Sequence, residues 1–208
     1  MSATSPNTGP IGPEPAGATP LDEEDLEGLI PSFVATRADL NRVELESITG
    51  SLPRLLTLAR TGGPHAVLDY GFLLNLHRRM FSDVWRWAGT LRRRETNIGV
   101  DPGQIAPRSI QAIDDARWWH DHDVYTRDER AVRLHAVLVD IHPFPNGNGR
   151  ATRLLADLYL TSIDKPMFSW GGATVDEDGS TRRCYLEALL LALSTGDYEA
   201  LTAFAREH

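Results

Sequence analysis

A histidine, a glycine-rich turn and two arginines fall within twelve residues of this chain. They form the run His142-Pro143-Phe144-Pro145-Asn146-Gly147-Asn148-Gly149-Arg150, with Arg153 just beyond. Glycines at 147 and 149 let consecutive backbone N–H groups converge on an anion, because a residue without Cβ reaches φ > 0 freely. Ala151, Leu154, Leu155 and Leu158 follow at helical spacing. The turn therefore feeds a helix N-terminus, where unpaired amides and the helix dipole favour phosphate. Arg150 and Arg153, one turn apart, are expected on one side of that helix and within reach of one polyphosphate. His142, at the far end of the loop, stands where it could take a proton beside the phosphate. The chemistry these residue types suit is displacement at phosphorus.

Such a loop needs helices on both sides. Apolar periodicity and end signals place helices at about 36–60 (perturbed at Pro53), 66–81, 110–119, 128–140, 150–162, 181–194 and 197–206. An earlier one is expected with Thr19 as N-cap, Pro20 at its first position and Asp22 to Asp25 in its first turn. Trp85, Trp87 and the β-prone run from Leu91 to Val100 suggest one hairpin. The outline is all-α with a single hairpin. Residues 1–18, rich in Ser, Thr, Pro and Gly, are expected to form a disordered tail, because they have little apolar surface to offset ordering. Residues 19–208 then form one domain, long enough to bury a core.

The composition excludes more than it selects. With 41% hydrophobic and 24% charged residues, the chain has the make-up of a soluble globular protein. Its net charge of −8 argues against a nucleic-acid-binding role. No apolar run is long enough for a membrane span, no leader is evident, and Cys184 is the sole cysteine, so the expected location is cytoplasmic. Cys184, among Tyr185, Leu186 and Leu189, is expected to be a buried packing thiol. Lys165 is the one lysine among 21 basic residues, a bias that a GC-rich bacterial genome would produce. No glycine precedes it, so a P-loop is excluded, as is a kinase-type lysine. Ser162-Ile163-Asp164-Lys165 lacks the Lys-Thr-Gly partner of serine acyltransferases. Gly147-Asn148-Gly149 lacks the third glycine of a dinucleotide fingerprint, since Thr152 stands there. His120-Asp121-His122-Asp123 could bind a metal, but it reads better as a solvated helix end. Arg92-Arg93-Arg94 would either dock an acidic target or alternate along a solvated strand.

The run from His142 to Arg153 resembles the signature of the Fic (Fic/Doc) family, His-Pro-Phe-x-(Asp or Glu)-Gly-Asn-Gly-Arg-x-x-Arg. One fixed position departs: Asn146 replaces the acidic residue. Phe81 to Thr90 and Asn97 to Val100 resemble the lead-in to, and part of, the family's β-hairpin flap. Thr19 to Asp22, Glu27 to Pro31 and Gly196-Asp197-Tyr198 resemble the ends of the subgroup called mobile mystery protein B. The resemblance implies an all-α Fic-type bundle with a hairpin flap beside the active-site loop. It also implies transfer of AMP from ATP to a Ser, Thr or Tyr hydroxyl of a target protein, which the flap would hold by backbone pairing.

In that reading His142 is the general base, and the amides of Gly147, Asn148 and Gly149, with Arg150, stabilise developing phosphoryl charge. The Asn148 amide orients phosphates, Arg153 approaches the γ-phosphate, and buried Phe144 anchors the loop. Position 146 helps hold Mg²⁺ in the family; an amide keeps one neutral oxygen but loses the charge, so a weakened Mg²⁺ site is expected. The alternatives are a weak or inactive Fic fold that binds nucleotide or a partner protein, and transfer from another phosphate-containing donor. Gly149-Arg150 favours AMP transfer over the kinase-like branch, which has Lys-Arg in that place. Many relatives are silenced by a (Ser or Thr)-x-x-x-Glu-(Gly or Asn) helix whose glutamate pairs with the second arginine. The nearest string, Glu23 to Gly28, lacks the Ser or Thr. Restraint is therefore expected from Asn146 or from a separate inhibitory, antitoxin-like protein.

Overall fold

The computed structural model describes residues 8–9, 12–13, 20–172 and 179–207. Most of the expected tail, and the expected N-cap Thr19, lie outside the described residues; of the tail, Thr8–Gly9 (β1) and Gly12–Pro13 (β2) pair antiparallel. Everything else is built on helices. They are α1 (Glu23–Glu27), α2 (Arg37–Val67), α3 (Tyr70–Phe81), α4 (Pro102–Asp121), α5 (Arg127–Ile141), α6 (Asn148–Ser162), α7 (Ser180–Thr195) and α8 (Glu199–Arg206).

The first five start at side chains that accept from otherwise unpaired amides. Asp22 caps α1 and Thr36 caps α2, each in a reciprocal capping box, while Asp69 caps α3 and Thr126 caps α5. The first helix thus begins three residues later than Pro20 suggested, because Asp22 offers the better acceptor. Pro53 does not break α2. The break comes at Gly63, whose φ of 70° and ψ of −178° interrupt the helix before Pro64 starts a last short turn.

Helix α6 is the axis of the bundle. From Leu155 to Thr161 every residue is buried, so it lacks a solvent face. Helix α5 packs along it on one side and α2 on another, with α3 against α2. Ala131 and Ala136 of α5 and Ala151 and Ala156 of α6 are fully buried, and their small side chains admit close helix approach. Helices α7 and α8 pair with each other and contact α5. The loop between α5 and α6 is therefore clamped at both ends by packed helices.

Two expectations are corrected. Residues 91–100 carry no paired strand, and among the described residues nearby the sole ladder contact is a Leu29–Trp85 bridge. Arg92 N–H donates to the Pro143 carbonyl and Val100 N–H to the Ile141 carbonyl, so the segment's ends pair with the α5–α6 loop rather than with each other. Cys184 is exposed: in α7 the buried face runs through Tyr185, Leu189 and Ala192.

Candidate active site

His142 ends α5 in the left-handed conformation, φ 56° and ψ 62°, where glycine is the usual occupant. A non-glycine residue there carries strain and marks a position held for its side chain. Its Nδ1 lies 3.4 Å from the Val139 carbonyl, a contact that can only be Nδ1–H donating, which leaves the lone pair on Nε2. Burial, more than the opposing contact with Val139 and the nearby Arg92 charge, lowers its pKa to about 4. The imidazole is therefore neutral at pH 7, the form a base requires.

The segment 91–100 covers His142. A Cβ on Gly99, at φ 103°, would lie 2.6 Å from His142 Cβ, so only glycine permits this approach. Arg92 is buried and donates to the carbonyls of His142 (Nε, 2.7 Å), Arg94 and Val100, with a longer contact to Ile141. It clamps the backbone of the loop. Neither an acidic docking face nor a solvated strand describes it. Arg94 pairs with Asp22 and Asp25, fastening the same segment to α1.

On the other side of the loop, Gly147 caps α6 in the left-handed region, φ 77°, with no side-chain cap. A Cβ there would meet the Phe81 ring at 2.7 Å. The first amides of α6 have no intrahelical acceptor, so the turn presents N–H groups as the sequence implies. Asn148 departs from its expected role. Its Oδ1 accepts from Phe144 N–H and its Nδ2 donates to the Phe144 carbonyl, both at 2.8 Å, and the residue is 1% exposed. That side chain closes the loop and does not reach out to a phosphate. Phe144 is fully buried, as a loop anchor must be.

The two arginines diverge. Arg150 Nη1 forms a 2.8 Å ion pair with Glu44 of α2, and its guanidinium lies 5.1 Å from the Phe81 ring centroid. Glu44 is itself buried and accepts from Trp85 Nε1 at 2.7 Å. Arg153 lies 5.6 Å from the Tyr185 ring of α7, with Asp157 and His135 close enough to feel its charge. Its Nη1 stays beside the glycine turn, 3.4 Å from where a Cβ on Gly149 would stand, so both guanidinium groups flank the opening of α6. Glu27 is exposed, and its recorded hydrogen bond is through its carbonyl, to Arg86. Arg150 carries instead the carboxylate of Glu44, a residue that the sequence reading did not single out.

Asn146 Oδ1 lies 3.3 Å from Arg150 Nη2. Mg²⁺ is ordinarily held by one or two carboxylates together with substrate phosphates. Here the one neutral oxygen already accepts from a cation, and Glu44 is engaged by Arg150 and Trp85. These residues do not fit a Mg²⁺ site supplied by the protein.

His77 of α3 is a second residue missed from sequence. Its Nδ1 accepts from Gly89 N–H at 3.0 Å, so Nε2 carries the proton it donates to the Asn146 carbonyl, also at 3.0 Å. Stacked at 3.8 Å on Phe144, it supports the loop from beneath. Complete burial lowers its pKa to about 3, which keeps this neutral tautomer at physiological pH. The clue was available: in α3, Leu73, Leu76, His77, Met80 and Phe81 share the buried face.

With this geometry established, likeness to known proteins becomes informative. The model of the Fic/DOC family matches residues 67–160. A probable protein adenylyltransferase, y4lH of Sinorhizobium fredii, is 30% identical over 157 residues, covering 71% of this chain and 77% of that protein. The protein adenylyltransferase fic-1 of Caenorhabditis elegans is 31% identical over 114 residues, and the match covers 51% of this chain but 22% of the nematode protein. Among solved structures, BepC from Bartonella tribocorum, a VirB-translocated effector with bound AMPPNP, superposes with a TM-score of 0.65 at 14% identity, over 88% of this chain and 95% of that one. The last likeness concerns fold alone.

Proposed function

The chain belongs to the Fic/DOC family, and we propose that it is a protein adenylyltransferase that moves AMP from ATP to a Ser, Thr or Tyr hydroxyl of a target protein. The observation that carries this is the strained, neutral His142 set across a fixed loop from the uncapped N-terminus of α6. The y4lH and fic-1 relatives, named as adenylyltransferases, and the AMPPNP-bound BepC support the nucleotide side of the reading.

In this mechanism the hydroxyl oxygen of the target attacks the α-phosphorus of ATP and its proton passes to His142 Nε2. The bond from the α-phosphorus to the bridging oxygen breaks, and pyrophosphate leaves. The amides that open α6 and the Arg150 guanidinium stabilise the charge that develops on oxygen. The segment between Arg93 and Gly99, which carries no ladder pairing, offers an edge to a target segment. Incubating a cell lysate with the purified chain and labelled ATP, then locating modified hydroxyls by mass spectrometry, tests the reading. The expected result is AMP on a protein side chain.

Restraint is a second reading, favoured by the Glu44–Arg150 ion pair. Glu44 withholds the arginine that the phosphates need, and Asn146 withholds a metal-binding charge. Glu44→Gln keeps an acceptor for Trp85 but removes the ion pair, so ATP affinity and auto-modification should rise, while Glu27→Gly changes neither. Equal behaviour of the two variants would reduce Glu44 to a packing role. We further place the chain in the mobile mystery protein B subgroup on its terminal strings, as a bacterial cytoplasmic protein opposed by a separate antitoxin-like partner. Among the described residues no helix is long and apolar enough to cross a membrane.

A further inference from the structure

The string His120-Asp121-His122-Asp123 is taken apart by the fold. His122 ends α4 with Nδ1 on the Trp118 carbonyl and its ring stacked on Trp118, and Asp123 pairs with Arg130. His120 and Asp121 instead meet a residue 55 positions earlier. The Gly63 kink turns the end of α2 so that His65 Nε2 lies 3.1 Å from Asp121 Oδ1. The His65 and His120 rings meet edge-on at 5.8 Å, and one ligand atom from each of the three side chains falls within a 4.8 Å group.

We propose that His65, His120 and Asp121 form a binding site for a divalent transition ion, with Zn²⁺ the best match to the donor set. Two imidazoles and a carboxylate suit Zn²⁺, which takes nitrogen and oxygen ligands at about 2.0–2.2 Å and completes a tetrahedron with water. Ligand atoms around such an ion stand closer together than 4.8 Å, so the cluster must contract. The side chains of His65 and Asp121 are 57% and 40% exposed, so rotation can bring them in.

The third ligand is held in place. His120 Nδ1 lies 3.2 Å from the hydroxyl of Tyr159, a residue 1% exposed on α6. That contact aims Nε2 outward and gives an acceptor for Nδ1–H once the metal takes the other nitrogen, the outer-shell arrangement common to ligating histidines. The position also suits a cation, since His120 and Asp121 form the last turn of α4, where carbonyl groups leave a partial negative charge.

Tyr159 stands eleven residues along α6 from Asn148, about 16 Å at 1.5 Å per residue. The ion would therefore sit away from the phosphate loop. It would pin the kinked end of α2 to α4, where Arg117 already donates to the Leu68 carbonyl. Its role is a structural clamp on the helix that carries Glu44.

Calorimetric titration of the untagged, chelator-treated full chain with zinc chloride tests the site, with melting curves recorded in parallel. One ion per chain is expected, with a higher melting temperature in its presence. His65→Ala and Asp121→Asn, both at exposed positions, should abolish that binding. Tyr159→Phe should weaken it about 10- to 100-fold, as loss of an outer-shell partner does, while His122→Ala leaves it intact. Absence of saturable binding in the wild type overturns the site. So does unchanged affinity in His65→Ala, or loss in His122→Ala alone, either of which would assign the ion to the local string.

Discussion

Arg150 and Arg153 leave the same helix three residues apart and enter different surroundings. Around Arg150 lie Glu44, Asn146 and the Phe81 face, and the side chain keeps 23% of its surface in solvent. Around Arg153 lie Tyr185, His135 and Asp157, and the residue is 7% exposed. The first environment has an ion pair that can be exchanged for a phosphate. The second is a buried polar network: His135 bridges Thr152 and Tyr185, and Asp157 accepts from Phe168 N–H and Trp170 Nε1. Spacing in a motif therefore does not assign a role. What each side chain faces does: both arginines flank the glycine turn, Arg150 paired with Glu44 and Arg153 set against Tyr185 of α7.

The largest effect should come from the loop itself. His142→Ala is expected to lower AMP transfer by about 10²–10⁴-fold while leaving ATP affinity nearly unchanged. Because its pKa is lowered to about 4, the base stays competent well below neutrality, so its titration should appear only as acid inhibition near that value. A rate profile that falls instead near pH 6.5 would place the histidine in water.

Paired arginine variants test the comparison next. Arg150→Ala should weaken ATP binding about 10- to 100-fold, the loss of a charge-assisted hydrogen bond, and lower the melting temperature, because buried Glu44 is left without its ion-pair partner. Arg153→Ala should lower the melting temperature by unsettling the network beneath it, with a smaller loss of ATP affinity. If Arg153→Ala matches Arg150→Ala in ATP affinity and melts like the wild type, the division of roles fails.

A smaller effect is expected at position 146. Asn146→Asp restores a carboxylate beside Arg150 and should tighten Mg²⁺ and raise Mg²⁺-dependent transfer, as a metal titration of both proteins would show. No difference would mean that the side chain faces only Arg150.

The smallest effect belongs to Arg153's side of the helix. Burial, outweighing its hydrogen bonds and the nearby arginines, raises the pKa of Asp157 to about 7. A carboxyl with a raised folded pKa contributes stability that is full below its unfolded value and lost as pH rises through about 7. The buried His77 and His135, with lowered pKa values, act in the opposite sense, losing stability as pH falls below about 6.5. Comparing melting temperature against pH for the wild type and Asp157→Asn isolates the first term. The variant should lose the decline between about pH 4 and 7 that Asp157 causes.

Much of this was legible where interactions are local. The phosphate loop and the αL glycine that starts α6 follow from neighbours in sequence, whereas the cap at Asp69 was missed, since the expected helix from 66 ran through it. The other missed features depend on distant partners. Glu44 meets Arg150 across 106 residues and His77 meets Asn146 across 69. Residues 91–100 have strand composition, but their backbone pairs with the catalytic loop, so β-propensity lost to tertiary contact. Polar residues in phase with a buried helix face were the available signal for Glu44, beside Leu40 and Val43, and for His77.

The most direct test of AMP transfer is to follow the two ends of ATP separately. The chain is incubated with a bacterial lysate and ATP labelled at either the α- or the γ-phosphate, and protein-bound label is counted for the wild type and His142→Ala. The account predicts α-label on protein with the wild type, none from the γ-position, and loss of the signal in His142→Ala. Label from the γ-phosphate, or α-label undiminished by the substitution, would contradict it.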